Sequence, residues 1–358
     1  MSESLLIVIL FIPFFLILIL ANLADKRRLS GEERSSLAGL TYLLHIVVFG
    51  LVTGAGAALQ AFGLLFRLND QMRTEMLNAV RESGLASPGA IEAQLGSLEP
   101  IGIALWAPAL IAPILLLPPL RRLLAKLIPI DPRSSVHAVA ISYIMLIVIN
   151  LTFTLAVGLE TLADISEESP TSTGTLIFSL WVQQLTFAVW ALVGVGWLTR
   201  RKWLPSLERL GIVYPRPVEI AIGIGAAIVL VPVILALENL AAQYGMGIDE
   251  DVQRLSEALL GPLAGSFLGI LTLGLAAGIG EETLFRGALQ PRFGLLFTSI
   301  LFAVVHSQYG ISFSTLAVFV VGMILGLLRQ RFNTTTCAIT HAAYNIILGA
   351  YAIYGPGF

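Results

Sequence analysis
The residues best suited to chemistry stand close together in the last quarter of the chain. Glu281, Glu282 and Arg286 follow the nearly unbroken apolar run Leu268–Ala277, in the stretch GIGEETLFRGALQPRFG. His306 comes next, and His341 and Asn345 lie on a later apolar segment. Ionisable groups within apolar spans are costly and by default mark functional sites. A glutamate in a low-dielectric pocket can serve as general base on water. Glu282 and Arg286 stand at i, i+4, a spacing that lets an ion pair hold the arginine in the membrane and fix the glutamate pair. His306 can bind or orient the attacking water. His341 and Asn345 also stand at i, i+4 and share one helix face, where an imidazole N–H and an amide can donate to a developing oxyanion. Together these groups suit hydrolysis of an amide. Arg286 reads as structural, since a guanidinium is a poor acid or base.

Such side chains need a membrane-embedded scaffold, and the composition supplies one. Hydrophobic residues make up 56% and charged residues 12% of the 358-residue chain, and mean hydropathy is +0.87. These values exclude a soluble domain and predict an all-α polytopic membrane protein. A net charge of −2 argues against nucleic acid as a partner. The single cysteine, Cys337, excludes an internal disulfide and a cysteine-cluster metal site. About ten spans are predicted, near 5–24, 39–66, 101–120, 136–162, 175–199, 218–241, 261–290, 293–308, 313–330 and 335–354. The first is read as a retained helix, because MSES lacks positive charge and DKRR follows the apolar stretch. The polar segment 67–100 is expected outside the membrane as an amphipathic helix plus linker.

Basic residues orient the spans. Lys26, Arg27, Arg28 and Arg34 follow the first, and Arg121, Arg122, Lys126 and Arg133 the third. Arg200, Arg201, Lys202, Arg209 and Arg216 follow the fifth, Arg292 the seventh, and Arg329 and Arg331 the ninth. The loops DISEESPTSTG and MGIDEDVQRLSEALL are acidic by contrast. This alternation predicts both termini on the non-cytoplasmic side. Pro291 is expected to turn the chain between spans 7 and 8. Counted from that turn, Glu281 and His306 lie roughly 15 and 21 Å into the membrane. His341 and Asn345 lie about 10–15 Å from the next cytoplasmic loop, near Asn333. All four reach neighbouring depths, so one site facing the cytoplasm is expected.

In order, Glu281-Glu282-x-x-x-Arg286, Phe302-x-x-x-His306 and His341-x-x-x-Asn345 resemble the three motifs of the CPBP intramembrane proteases. That family includes CAAX prenyl endopeptidases of the Rce1 type, bacteriocin-processing and self-immunity (Abi) proteins, and lysostaphin-resistance-like proteins. The resemblance covers about Pro262–Tyr351. It implies a helical protease core with Glu281 as catalytic base, beside Glu282, and with His306 helping to hold the water. It further implies that His341 and Asn345 stabilise the oxyanion, with Arg286 and Phe302 in support. The substrate it implies is a membrane-associated protein or peptide, with prenylated tails, bacteriocin leaders and membrane-protein segments all open. The implied setting is the cell membrane. Residues 1–215 then form an N-terminal membrane region of about five helices without an assigned role. Residues 216–358 hold the protease-like core, at about 262–351.

A metal-free mechanism without cofactor is expected. Two histidines and two glutamates leave zinc as the alternative, with Glu281, His306 and His341 as ligands. A membrane transporter is the rival from another class, but the charges cluster in one third of the chain. A catalytically idle immunity or scaffold protein on the same fold is the third reading. His45, Asn150, Gln183, Gln184, Glu160 and Glu238-Asn239 read as interhelical contacts or span ends, and Cys337 as a packing residue.

Overall fold
The computed structural model describes residues 3–31, 36–84, 87–246 and 249–354. Among them every regular element is helical. Six long helices come first: α1 (Glu3–Leu29), α2 (Ser36–Leu68), α4 (Pro88–Ile114), α6 (Ser135–Val157), α8 (Thr173–Gly194) and α10 (Pro217–Gln243). Between them lie the short α3 (Asp70–Ser83), α5 (Pro118–Leu124), α7 (Leu159–Glu168) and α9 (Trp203–Leu210). Then follow α11 (Glu250–Ala264), α12 (Phe267–Glu282), a π-helical turn over Thr283–Leu289 and α13 (Gln290–Phe293). The chain closes with α14 (Leu295–Val304), α15 (Phe313–Arg331) and α16 (Thr334–Tyr354).

Among the described residues, eight helices are long and apolar enough to cross a membrane. The two further expected spans differ for separate reasons. α14 has ten residues, about 15 Å and so half a bilayer core. α16 has the length, 21 residues, but Thr336, Thr340, His341 and Asn345 interrupt its apolar character. Several expected boundaries also move. The turn expected at Gln290-Pro291-Arg292 falls instead at Gly294 (φ 78), because Pro291 sits in the first turn of α13, where no amide is needed. The segment 261–290 divides at Gly265–Ser266, where the Ser266 hydroxyl accepts from the Gly269 amide and starts α12 anew. The linker expected before residue 100 is already helical from Pro88. The two acidic loops contain α7 and α11, clasped by Arg254 to Asp164 at 2.7 Å and to Glu167 at 3.0 Å. Arg34 and both chain ends, on which the orientation partly rests, lie outside the described residues.

Close packing depends on glycines. A Cβ on Gly56 of α2 would stand 2.8 Å from the Gly102 carbonyl of α4, so these two helices touch along their backbones. The largest buried cluster draws Ile141 and Ile144 from α6, Leu230 and Ile234 from α10, and Phe302, Val321 and Tyr344 from α14–α16. Packing therefore runs across residue 215 into the C-terminal third.

Candidate active site
The site is assembled around the C-terminal end of α12. Here α12 is pressed between α8 and α16, and small residues make this possible. A Cβ on Gly274 would meet the Ala342 carbonyl at 2.6 Å, and one on Gly278 the Ala338 carbonyl at 2.7 Å. A Cβ on Gly280 would run into the backbone and side chain of Gln184 on α8. These contacts bring α16 and α8 against the two glutamates that follow.

Glu281 and Glu282 take opposite environments. The Gln184 amide donates to Oε1 of Glu281 at 2.9 Å. Oε2 of Glu281 has no hydrogen-bond partner and faces Nε2 of His306 at 3.8 Å. Glu282 is fully buried. Its Oε1 accepts from Nδ1 of His341 at 2.9 Å, and its Oε2 lies 3.3 Å from Nε of Arg286. After Glu282 the helix widens into its π-turn, a distortion that recurs at functional sites. Arg286, equally buried, stacks its guanidinium over the Phe302 ring, 4.5 Å from the centroid. That ring also meets His306 and His341, with centroids 5.0 and 5.8 Å apart. Phe302 is thus the hub on which the charged groups rest.

Hydrogen-bond logic assigns the imidazole protons. Nδ1 of His306 lies 2.7 Å from the Phe302 carbonyl, which can only accept, so Nδ1 carries a proton and Nε2 of a neutral ring is an acceptor. Nδ1 of His341 likewise donates to the Glu282 carboxylate, leaving its Nε2 to act as a donor only when the ring holds both protons. His306 has no helix to hold it, since α14 ends at Val304. Instead Ser307, next in sequence, accepts from Asn150 at 2.8 Å and from Thr154 at 2.9 Å, both on α6. His306 is also the most accessible of the four, with 20% of its side chain exposed against 10% for Glu281.

The structure thus brings together Glu281, Glu282, Arg286, Phe302, His306 and His341. Asn345 follows His341 one turn later on α16, and one of its amide protons goes to the Leu273 carbonyl at 3.1 Å. The second amide proton remains for another acceptor. Sequence reasoning placed Gln184 and Asn150 among interhelical contacts. Both make such contacts, and through them Gln184 fixes Glu281 while Asn150 anchors the segment carrying His306. The signal available was an amide within an apolar span.

A zinc ion asks for three protein ligands around one point. Nδ1 of His341 is engaged by the Glu282 carboxylate at 2.9 Å, and its Nε2 is left free. Among the described residues no group of three or more His, Cys, Asp or Glu side chains is arranged to hold a metal ion.

Residues 263–347 match the family described as type II CAAX prenyl endopeptidase Rce1-like. The match contains all three motifs and supports a CPBP-type intramembrane protease, and with it intramembrane endopeptidase activity in general. No curated protein and no solved structure matches the chain.

Proposed function
We propose, taking the Rce1-like match of residues 263–347 as premise, that this chain hydrolyses peptide bonds of membrane-associated proteins with a glutamate-activated water. The observation that carries the reading is the 3.8 Å separation between the partnerless Oε2 of Glu281 and Nε2 of His306. It is too long for a direct hydrogen bond and suits a water that donates one proton to each. Glu281 takes a proton as the water oxygen attacks the scissile carbonyl carbon. The resulting oxyanion accepts from Nε2 of a doubly protonated His341, whose counter-charge is Glu282, and from the second amide proton of Asn345. Glu281 then passes its proton to the leaving amine as the C–N bond breaks. No metal enters this scheme. Substrates of the CAAX type, prenylated or otherwise lipid-anchored, fit a site held inside the bilayer, and the basic loops favour cleavage from the cytoplasmic side of the cell membrane.

The test compares all protein termini in membranes carrying wild type or Glu281→Gln. Termini that vanish with Glu281→Gln, while the variant inserts and folds normally, are the expected result. Identical termini in the two membranes, or loss of cleavage with Glu282→Gln alone, would remove Glu281 from the role of base.

A further inference from the structure
A cavity of about 450 Å³ opens between α1, α2, α5 and the start of α6, wholly within the N-terminal region. Its wall carries four arginines, Arg28, Arg121, Arg122 and Arg133, with Tyr42 and Ser135, and among the described residues no acidic side chain. Arg28 is neutralised from outside the cavity by Asp131 at 2.8 Å and Asp25 at 3.7 Å. Among the described residues the other three have no ion-pair partner. Arg121 is the telling one, only 6% exposed. Its guanidinium reaches the Tyr42 hydroxyl at 3.4 Å and lies over that ring at 5.7 Å, while its Nε has no hydrogen-bond partner. A buried guanidinium without an acid is costly unless an anion joins it.

We propose that this cavity binds the phosphate of an anionic phospholipid headgroup. The guanidinium fork matches phosphate oxygens in pairs. The cavity lies among the basic loops that the positive-inside rule assigns to the cytoplasmic leaflet, where anionic lipid is the counter-ion at hand. Apolar side chains favour a lipid over free phosphate: Leu117, Leu123 and Leu127, on α5 and its flanks, are 53%, 54% and 78% exposed. The site is independent of the proposed protease chemistry, and Glu281→Gln should leave it unchanged. The acids that could compete for these arginines, Glu32 and Glu33 of the α1–α2 connection, lie outside the described residues.

The experiment places the full chain in detergent and in nanodiscs, with phosphatidylglycerol, with phosphatidylcholine, or with inorganic phosphate alone. Retained lipid is read by native mass spectrometry and unfolding by melting temperature. Wild type should retain phosphatidylglycerol selectively and melt higher with it. Affinity should fall about 5-fold for each arginine removed, roughly 25-fold in Arg122→Gln/Arg133→Gln. That pair is exposed and so tests the site even where Arg121→Gln fails to fold. Equal retention of both lipids, or no loss in the double variant, overturns the proposal. Protection by inorganic phosphate equal to that by phosphatidylglycerol overturns the lipid assignment. A phosphatidylglycerol preference that appears only in Glu32→Gln/Glu33→Gln shows the arginines to be paired internally, and overturns it too.

Discussion

Gln184→Leu is the sharpest perturbation of the proposed mechanism, because it leaves every motif residue in place. The Gln184 amide holds Oε1 of Glu281 at 2.9 Å, and this contact directs Oε2 towards His306. A hydrogen bond to a charged partner is worth about 1.5–3 kcal/mol. If that energy keeps the carboxylate in its productive rotamer, its loss lowers the productive population by roughly 10- to 100-fold. The substrate does not need this contact to bind, so kcat should fall by that factor while KM changes by no more than about twofold. The assay is cleavage of a membrane-anchored reporter in proteoliposomes, with melting temperature followed in parallel. Gly280→Ala offers an independent route to the same defect, since its added methyl would displace Gln184. The two substitutions should not be additive, because each removes the same contact. Wild-type kcat in Gln184→Leu, beside an inactive Glu281→Gln, would refute the positioning role.

Arg286→Met should destabilise the chain by up to about 3–5 kcal/mol, since it removes the guanidinium facing the buried Glu282 and leaves that carboxylate only His341 as a partner. Restoring part of the melting temperature with Glu282→Gln in the same chain would identify the buried charge as the cause. Ser307→Ala should remove the acceptor that Asn150 and Thr154 share, leaving Thr154 its bond to the Asn150 carbonyl at 2.9 Å and Asn150 its longer one to the Val305 carbonyl at 3.4 Å, at a cost of about 0.5–1.5 kcal/mol, and loosen His306. Reporter cleavage should fall, and Ser307→Thr should recover it. Outside the membrane, partial burial acts to raise the Asp131 pKa, but the Arg133 amide and Arg28 outweigh it and hold the carboxyl below its usual value. A depressed pKa gives stability that is present above the unfolded-state value and lost as pH falls through the folded one. The melting-temperature gap between wild type and Asp131→Asn should therefore be open at neutral pH and close in strong acid.

Much of the site was legible because intramembrane charge is so improbable. Glu281, Glu282, Arg286, His306 and His341 announced themselves by type, and helical rise counted from the expected turns put Glu281, His306, His341 and Asn345 at neighbouring depths. Less legible were the details that depend on backbone departures from an ideal helix. The π-turn after Glu282, the early end of α14 and the passage of Pro291 through a continuing helix have no period in the sequence. Counting at 1.5 Å per residue cannot see them. Gln184 and Asn150 were visible as polar residues in spans, but which neighbour each meets is decided by glycines and small side chains on other helices. Asn345 shows the converse. Its spacing from His341 places both on one face, yet its amide is partly taken by the Leu273 carbonyl.

The brevity of α14 would also make the lipid a party to the proposed reaction. Leu296 and Ile300 on this helix are 59% and 42% exposed, and Ile311 beyond its end is 84% exposed, so this flank faces acyl chains along a segment only half as tall as its neighbours. Mismatch of this kind is relieved by thinning of the surrounding leaflet, at fractions of a kcal/mol per Å. A dimple beside α14 would shorten the path from headgroup level to His306, and a thicker, stiffer bilayer would lengthen it. On the proposed mechanism, membrane thickness would then set how easily a tethered polypeptide meets Glu281, with no change in any protein contact.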